Sequence, residues 1–452
     1  MKVTIIGAGY VGLTTGVALA FLGHDVTSVE KDPAKLSLLT QGKSPIHELG
    51  IEHLMAIAAP RLKFTDTIPE GLADAEILMI AVGTPPKANG EANTEYVEQA
   101  AKDVAENLRS GQSCTIVVKS TVPIGTNRRV AHVIERTLSR RGVTANIYLA
   151  SNPEFLRESV ALSDTLYPDR IVVGAERAEP IGVLERLYHP IIEQTFAPPK
   201  DLPRPEHYER PRLVTTDPTS AEMIKYAGNA FLAIKISYIN EMAGLCEKVG
   251  ASVTEVARGI GLDQRIGRHF LDAGLGWGGS CFPKDTAAIL AVASECGYTM
   301  PIIEAAREVN DRQRQFIVDK LMTTLKILRG RVITVLGLAF KPNTDDVRDS
   351  PAMDIVRILV ERGAHVHAHD PVALDNARRA AGDLEVEFID CPYKASEGAD
   401  AIVMATEWDE YRHLDLGRLA GIMKQPVLVD GRNMLRPDDA LAAGFVYQGV
   451  GK

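Results

Sequence analysis

The sequence predicts an α/β chain: two open parallel sheets joined by a long central helix and an all-helical region. Three observations predict it. An apolar strand at 3–6 opens directly into a glycine-rich turn and a helix. A looser repeat of that strand, turn, helix and strand order begins at 331, and between the two a helical pattern runs from 218 to about 249 without an internal proline.

Val3-Thr4-Ile5-Ile6 has the composition of a short buried strand, and Gly7-Ala8-Gly9-Tyr10-Val11-Gly12 follows it into a helix that lasts to about Leu22. Gly23 ends that helix, and 25–29 reads as a second strand finishing at Glu30, which completes a βαβ unit. Strands at 77–82, 115–119 and 146–150 alternate with helical stretches, the pattern of a parallel sheet covered on both faces. The proline-rich, charged segment 196–212 has little periodicity and reads as an exposed loop or insertion.

Asp217-Pro218 supplies a cap followed by proline in the first helical turn. A helix from there to 249 would span roughly 50 Å, long enough to be a spine joining the sheets. Helices at 251–259, 285–295 and 302–325 continue the all-helical region, and Arg329-Gly330 marks the next boundary. Beyond it come a strand and turn ending at Gly337, a helix at 352–362 stopped by Gly363, a strand at 365–369 ending at Asp370, and strands at 401–405 and 427–429. The order repeats the first sheet, but the glycine fingerprint is absent. Both sheets read as Rossmann-like domains, with the second holding its ligand differently. The expected division is 1–213, 214–327 and 328–452.

Composition narrows the function classes. At 452 residues, 45% hydrophobic and 24% charged, the chain suits a globular protein of two or three domains. A net charge of -9 gives no electrostatic reason to expect nucleic acid or an acidic membrane as partner. No apolar run reaches membrane-spanning length, and the first strand begins at once with no charged leader, so the expected location is cytoplasmic. The five cysteines, at 114, 246, 281, 296 and 391, lack metal-type spacing, and no HExxH pattern occurs, so no metal is expected.

Gly7, Gly9 and Gly12 stand between a strand and a helix, where the first permits a tight turn, the second lets a pyrophosphate approach backbone N–H groups, and the third lets helix pack on strand. Glu30 ends the second strand, where a carboxylate accepts from both ribose hydroxyls and repels a 2′-phosphate. That favours NAD over NADP, with Lys31 and Lys35 pulling the other way and FAD as the main competitor. Thr84 and Thr121 follow strands at the ligand-facing edge, as contacts to cofactor or water, or as turn caps. Lys225 and Asn229 stand four apart and share one helix face, which lets them aim donors at a developing oxyanion; a surface lysine beside a packing asparagine has the same spacing.

Glu154 and Glu158 emerge near the same sheet edge and lie on one side if their segment is helical. Glu154 is then placed to orient or deprotonate water and Glu158 to meet the cofactor; two surface charges are the plainer alternative. In Gly278-Gly279-Ser280-Cys281-Phe282-Pro283-Lys284-Asp285 one cysteine sits in a glycine-rich turn at a helix start, with Lys284 beside it, a setting biased toward thiolate. The other four cysteines read as small buried hydrophobes. Asp285 is close enough to serve as base or water holder. Such a thiol captures an aldehyde as a thiohemiacetal, so that a second hydride transfer gives a thioester and hydrolysis an acid.

GAGYVG, NPEFLRE from Asn152, the segment from Ser220 to Lys225 with Asn229, and GGSCFPKD together resemble the UDP-glucose/GDP-mannose dehydrogenase family over nearly the whole chain. The cysteine motif is most similar to the UDP-glucose branch; branches oxidising GDP-mannose or UDP-N-acetylhexosamines share the plan. The resemblance implies oxidation of UDP-glucose by two NAD and water to UDP-glucuronate, a UDP-binding C-terminal domain, and a homodimer or higher homo-oligomer built on the central helices. It implies Cys281 as nucleophile, Lys225 and Asn229 as oxyanion partners, Asp285 with Thr121 for acid–base work, and Glu154 in thioester hydrolysis.

Cofactor contacts implied by the resemblance are the fingerprint with Tyr10 and Val11, then Glu30, Lys35, Thr84, Thr121 and Glu158, with Lys284 and Arg348 further along. Substrate contacts are Phe155, Leu156, Phe270, Leu271 and Gly278 around the sugar, besides Lys225 and Asn229. Phe340 and Lys341 fall where the uridine nucleotide lies, Arg432 near the site, and Arg265 reaches across a dimer interface.

Overall fold

The computed structural model describes residues 1–452. The chain separates into two compact units, Met1–Ala227 and Gly228–Lys452. The first is built on one eight-stranded sheet: β1 (Lys2–Ile6), β2 (Asp25–Val29), β3 (Leu62–Thr65), β4 (Ile77–Ile80), β5 (Ser113–Val118), β6 (Asn146–Ser151), β7 (Arg170–Gly174) and β8 (Arg212–Thr216), in the order β3-β2-β1-β4-β5-β6-β7-β8. Its first six strands are parallel. Side chains alternate between two cores: Ile5, Ile77, Met79 and Val117 pack with the helices Tyr10–Phe21 and Ala178–Ile192, while Ile6, Leu78, Ile80 and Ile116 pack with Glu95–Asn107 and Thr126–Arg141. Burial of both faces explains the continuous apolar runs.

The sheet departs from the parallel pattern at β7, which meets β6 antiparallel at Ser151 and Gly174. Between them lies only an irregular segment and the short helix Ala161–Leu166, a connection that turns the chain back instead of crossing over. β8 then pairs parallel to β7 after the helix Ala178–Ile192. The segment before β8 is irregular, as its composition indicates, but it is anchored rather than loose. Leu202 is buried, Phe196 packs 5.8 Å from the Tyr167 ring, and the Tyr208 hydroxyl donates to the Pro168 carbonyl at 2.8 Å.

The helix Pro218–Val249 begins where Asp217 and Pro218 predict, with the Ser220 N–H bonded to the Asp217 carboxylate at 2.9 Å, and stops before the left-handed Gly250. It starts in the first unit and continues as the opening helix of the second. There Val253–Gly261, Phe282–Glu295 and Pro301–Leu325 follow as helices. The second sheet comprises β9 (Val332–Leu336), β10 (His365–His369), β11 (Val386–Phe388), β12 (Ala401–Met404), β13 (Val427–Asp430) and β14 (Val446–Gly449). All are parallel, in the order β11-β10-β9-β12-β13-β14. This is the order of β3-β2-β1-β4-β5-β6, so each unit has a switch point beside its first strand, between β1 and β4 and between β9 and β12.

Candidate active site

The Gly7–Gly12 turn sits at the first switch point. Gly7 has φ +97, and a Cβ there would lie 2.8 Å from the Ala81 carbonyl oxygen; one on Gly12 would overlap the Gly7 carbonyl. Gly9 is different, because a Cβ there would meet nothing within 4 Å. Packing does not demand glycine at that position, and the open space before the helix N-terminus fits a pyrophosphate on backbone N–H groups. Glu30 is half-buried at the end of β2 and accepts from the Ala8 N–H (3.0 Å) and the Asp32 N–H (2.9 Å), which aims its carboxylate at the turn with acceptor capacity to spare. These residues fit a dinucleotide.

The Tyr10 hydroxyl is used within the chain. It lies 2.5 Å from the His47 carbonyl and 3.0 Å from the Glu48 carboxylate, and it accepts from the Ser159 N–H at 2.9 Å. Burial raises the phenol, so it stays a neutral staple. Val11 packs against the core, Lys35 is exposed, and the Thr84 hydroxyl donates to the Thr121 carbonyl at 2.8 Å, tying together the loops after β4 and β5.

Glu154 and Glu158 do not share a helix face. Residues 152–157 are irregular, and the two carboxylates part: Glu158 lies in a turn in Coulombic reach of Tyr10, while Glu154 turns into a closed polar cluster. Lys225 Nζ is 2.9 Å from Glu154 Oε1, and the two side chains are only 4% and 7% exposed. The Thr121 hydroxyl donates to the same oxygen at 3.1 Å, and the Leu156 N–H donates to Oε2 at 2.6 Å. Burial alone would raise this carboxyl; the Lys225 charge and hydrogen bond, the Leu156 N–H and the Lys119 charge outweigh it and hold Glu154 below the usual carboxylate range. Phe155 carries the Arg170 guanidinium on its ring at 3.8 Å and Lys225 Nζ at 5.5 Å. Lys225 is therefore a buried ion-pair partner, not a surface lysine.

In the second unit Cys281 is the N-cap residue of the helix Phe282–Glu295, half-buried, with its carbonyl accepting the Asp285 N–H at 2.8 Å. The Ser280 hydroxyl is 3.6 Å from the sulfur. Asp285 is 1% exposed, and its carboxylate binds the Asn229 amide (2.6 Å) and the Lys284 ammonium (2.5 Å). Lys284 thus points at Asp285.

Gly279 has φ +80, and a Cβ there would press on the Phe340 ring at 2.6 Å; its N–H donates to the Arg348 carbonyl at 3.0 Å. Gly278 leaves room for the backbone at Asp349 and for Pro351. The glycines of the cysteine loop are consequently fixed by the segment after β9. Phe270 stacks edge-on with Phe282 at 6.3 Å and holds φ +64, while Leu271 is buried in the core.

Phe340 and Lys341 follow β9, with Lys341 Nζ 5.6 Å from the Phe340 ring. Arg432 follows β13, where its guanidinium donates to the Ala405 carbonyl (2.8 Å) and pairs with Glu407 (3.1 Å). Arg348 is 65% exposed and forks onto Asp346 at 2.7 Å; Arg265 is 88% exposed and forks onto Asp263 at 2.6 Å.

Comparison with known proteins assigns the whole chain. Residues 1–192 match the NAD-binding domain of the UDP-glucose/GDP-mannose dehydrogenase family, 219–312 its central domain and 334–437 its UDP-binding domain. The chain belongs to the UDP-glucose/GDP-mannose dehydrogenase family. It is 46% identical to a UDP-glucose 6-dehydrogenase of Rhizobium meliloti over 100% of both chains, and 44% identical to the UDP-glucose 6-dehydrogenase TuaD of Bacillus subtilis over 100% of this chain and 93% of that one. A solved UDP-glucose dehydrogenase of Pyrobaculum islandicum superimposes with a TM-score of 0.88 at 38% identity, covering 99% of this chain and 97% of the other. The cofactor is NAD, and the Gly7–Gly12 turn falls within the residues that match the family's NAD-binding domain. Within the family's division, Lys225, Asn229, Arg265, Cys281 and Asp285 fall in the central domain and Phe340, Lys341, Arg348 and Arg432 in the UDP-binding domain.

Three features of the structure were not anticipated. Lys119, directly after β5, is buried and donates to the Asn152 amide oxygen at 3.2 Å; an apolar strand ending in lysine gave no sign of that burial. Glu222 is 2% exposed and accepts from the Gly125 (2.6 Å) and Asn127 (2.8 Å) N–H groups; burial pushes its carboxyl up to about 7. Its position three residues before Lys225, one turn back on the same face, was the available signal. Among the cysteines, Cys114 and Cys246 are buried, with burial pushing the Cys114 thiol up to about 11, but Cys296 is exposed at the end of its helix and Cys391 is half-buried. Burial as small hydrophobes holds for only the first two.

Proposed function

We propose that the protein is a UDP-glucose 6-dehydrogenase, converting UDP-glucose, two NAD and water to UDP-glucuronate, two NADH and protons. One observation carries the reading: a cysteine at a helix start, beside the Asn229–Asp285–Lys284 network, in a chain whose first sheet keeps an open NAD fingerprint. NAD accepts hydride twice. The chain's own groups do the rest. Asp285 takes the proton of the primary alcohol. Cys281 Sγ attacks the resulting aldehyde carbon, and the thiohemiacetal oxygen is steadied as an oxyanion by Lys225 and the Asn229 amide. The second oxidation leaves a thioester on Cys281, and water held by Glu154 and Thr121 hydrolyses it, returning the thiol.

Supporting positions follow the same reading. Glu30, Glu158, Arg348 and Lys284 serve NAD; Phe155, Leu156, Phe270, the Leu271 backbone and Gly278 enclose the sugar; Phe340, Lys341 and Arg432 hold the uridine diphosphate. The functional division is 1–213 for NAD, 214–327 for the thiol chemistry and 328–452 for UDP. The proposed setting is the cytoplasm; separately, no helix is long and apolar enough to cross a membrane.

The assembly is a homodimer on the central helix, where Phe231, Tyr238 and Leu245 recur every seven residues at 61%, 49% and 56% exposure and Arg265 projects nearby in sequence. Sedimentation should return at least twice the chain mass, and Phe231→Asp should shift it toward monomer; a monomeric wild type removes this part of the reading.

The deciding experiment follows NADH and product with UDP-glucose, UDP-N-acetylglucosamine, UDP-N-acetylmannosamine, UDP-galactose and GDP-mannose. Two NADH per UDP-glucose, with no comparable turnover of the others, is the expected result. Cys281→Ser should abolish sustained acid formation while leaving NAD binding intact. Unchanged steady-state turnover in that variant rules out the covalent route.

A further inference from the structure

The cluster around Glu154 holds one more cation than its resting structure needs. Lys225 already pairs with the carboxylate at 2.9 Å. Lys119 is nonetheless buried within Coulombic reach of it, 7% exposed, bonded to the neutral Asn152 amide oxygen and 5.9 Å from the Tyr188 ring centre. The charges bearing on it are Glu154, which favours its ammonium, and Lys225, which opposes it; Tyr188 is neutral, its phenol raised by burial, and Arg170 lies over Phe155 in the same region. Burial brings the Lys119 ammonium down to about 8 despite Glu154. A buried cation with no direct carboxylate partner costs stability. Asn152 does not require it, because the Tyr188 hydroxyl donates to the same amide oxygen at 2.6 Å and Asn152 Nδ2 donates to the Val172 carbonyl at 2.8 Å.

The proposed reaction supplies the reason for this cation, and the inference rests on that reading. When the Lys225 ammonium turns to the substrate oxyanion, Glu154 loses its ion-pair partner inside a closed site. A lone buried carboxylate takes up a proton and can no longer hold or deprotonate water. We propose that Lys119 is a positioning residue for Glu154, a second fixed cation that keeps this carboxylate anionic and in place while Lys225 serves the oxyanion. Lys119 touches neither substrate nor cofactor in this role; it acts through Glu154. Its fixed place at the end of β5, with the Lys119 N–H bonded to the Ile80 carbonyl at 2.9 Å, suits a charge that must not follow the reaction.

The test compares Lys119→Met, which keeps the length and removes the charge, with Lys119→Arg, which keeps the charge. Met should fold, since Tyr188 still satisfies Asn152. The carboxyl band of Glu154, isolated by infrared difference against Glu154→Gln, gives its titration midpoint without reference to activity. In Lys119→Met that midpoint should rise by about one unit, the low end of the effect of an opposite charge on a carboxylate. The acid limb of kcat should rise with it, KM for the nucleotide sugar should hold, and Lys119→Arg should restore both. A lower melting temperature with an unmoved Glu154 midpoint means a purely structural lysine and overturns the proposal. A midpoint that rises while the kcat limb stays put upholds the tie between Lys119 and Glu154, and it is then Glu154's part in turnover that fails.

Discussion

The second sheet repeats the order of the first six strands of the eight-stranded sheet, 3-2-1-4-5-6 in each unit's own count, yet only the first unit matches an NAD-binding domain. Both retain the turn glycine after the first strand, Gly7 with φ +97 and Gly337 with φ +96. After that they diverge. Gly9 opens onto free space, whereas its counterpart Ala339 and the preceding Leu338 are wholly buried. Glu30, ending β2, is half-buried and takes two backbone N–H groups. Asp370, just past the end of β10, is 1% exposed. Its Oδ2 accepts from the Leu338 and Ala339 N–H groups and the Trp408 indole at 2.7, 3.0 and 3.1 Å, its Oδ1 from the Val372 and Ala373 N–H groups. That fills a carboxylate's roughly four lone-pair sites, leaving nothing for a ribose. Strand order therefore predicts where a ligand can sit, and the loop residues decide whether the turn after the first strand stays open to a dinucleotide.

The largest expected effect falls on the closed sheet. Asp370→Asn puts an amide N–H where either oxygen's donors point, so buried donors lose their acceptor and face another donor. The second unit should lose about 3 kcal/mol in urea unfolding, the scale of leaving buried polar partners unsatisfied. NAD affinity of the folded protein should not change, because the fingerprint lies in the first unit. A loss below about 0.5 kcal/mol, the range of an ordinary surface substitution, would remove Asp370 as the staple that closes this sheet.

What could be read from the sequence, and what could not, follows the same division between local and distant causes. The strands at β1, β2, β9 and β10 and the start and stop of the helix Pro218–Val249 were legible because apolar runs, Asp217-Pro218 and Gly250 act within a few residues. Strand direction is not local: nothing in Arg170-Ile171-Val172-Val173-Gly174 says that β7 runs against β6. The edge strands β8 and β14 are partly exposed, and β11 has only three residues, too few for an alternation to register. Glu154 was legible as a candidate site residue but not its surroundings. Pro153 and the irregular 152–157 segment separate it from Glu158, and its cations come from β5 and the spine. Lys119 escaped notice for the same reason, since its burial depends on Asn152 and on Tyr188 in a later helix.

A smaller effect is expected at the open sheet, and it tests the other half of the comparison. Glu30→Gln keeps one carbonyl oxygen but replaces the second acceptor with an amide N–H. Because Glu30 is half-buried at the rim of an open turn, water can serve the Ala8 or Asp32 N–H that loses its partner, and unfolding should scarcely change. The cost appears in binding. One ribose hydroxyl loses a charged acceptor, so NAD affinity by fluorescence titration should fall about tenfold, equivalent to about 1.4 kcal/mol. The same change removes the charge that repels a 2′-phosphate, so NADP should lose less affinity than NAD or gain some. If instead Glu30→Gln destabilises the protein as much as Asp370→Asn, Glu30 is a structural staple like its counterpart. The difference between the sheets would then lie in Gly9 and Ala339 alone.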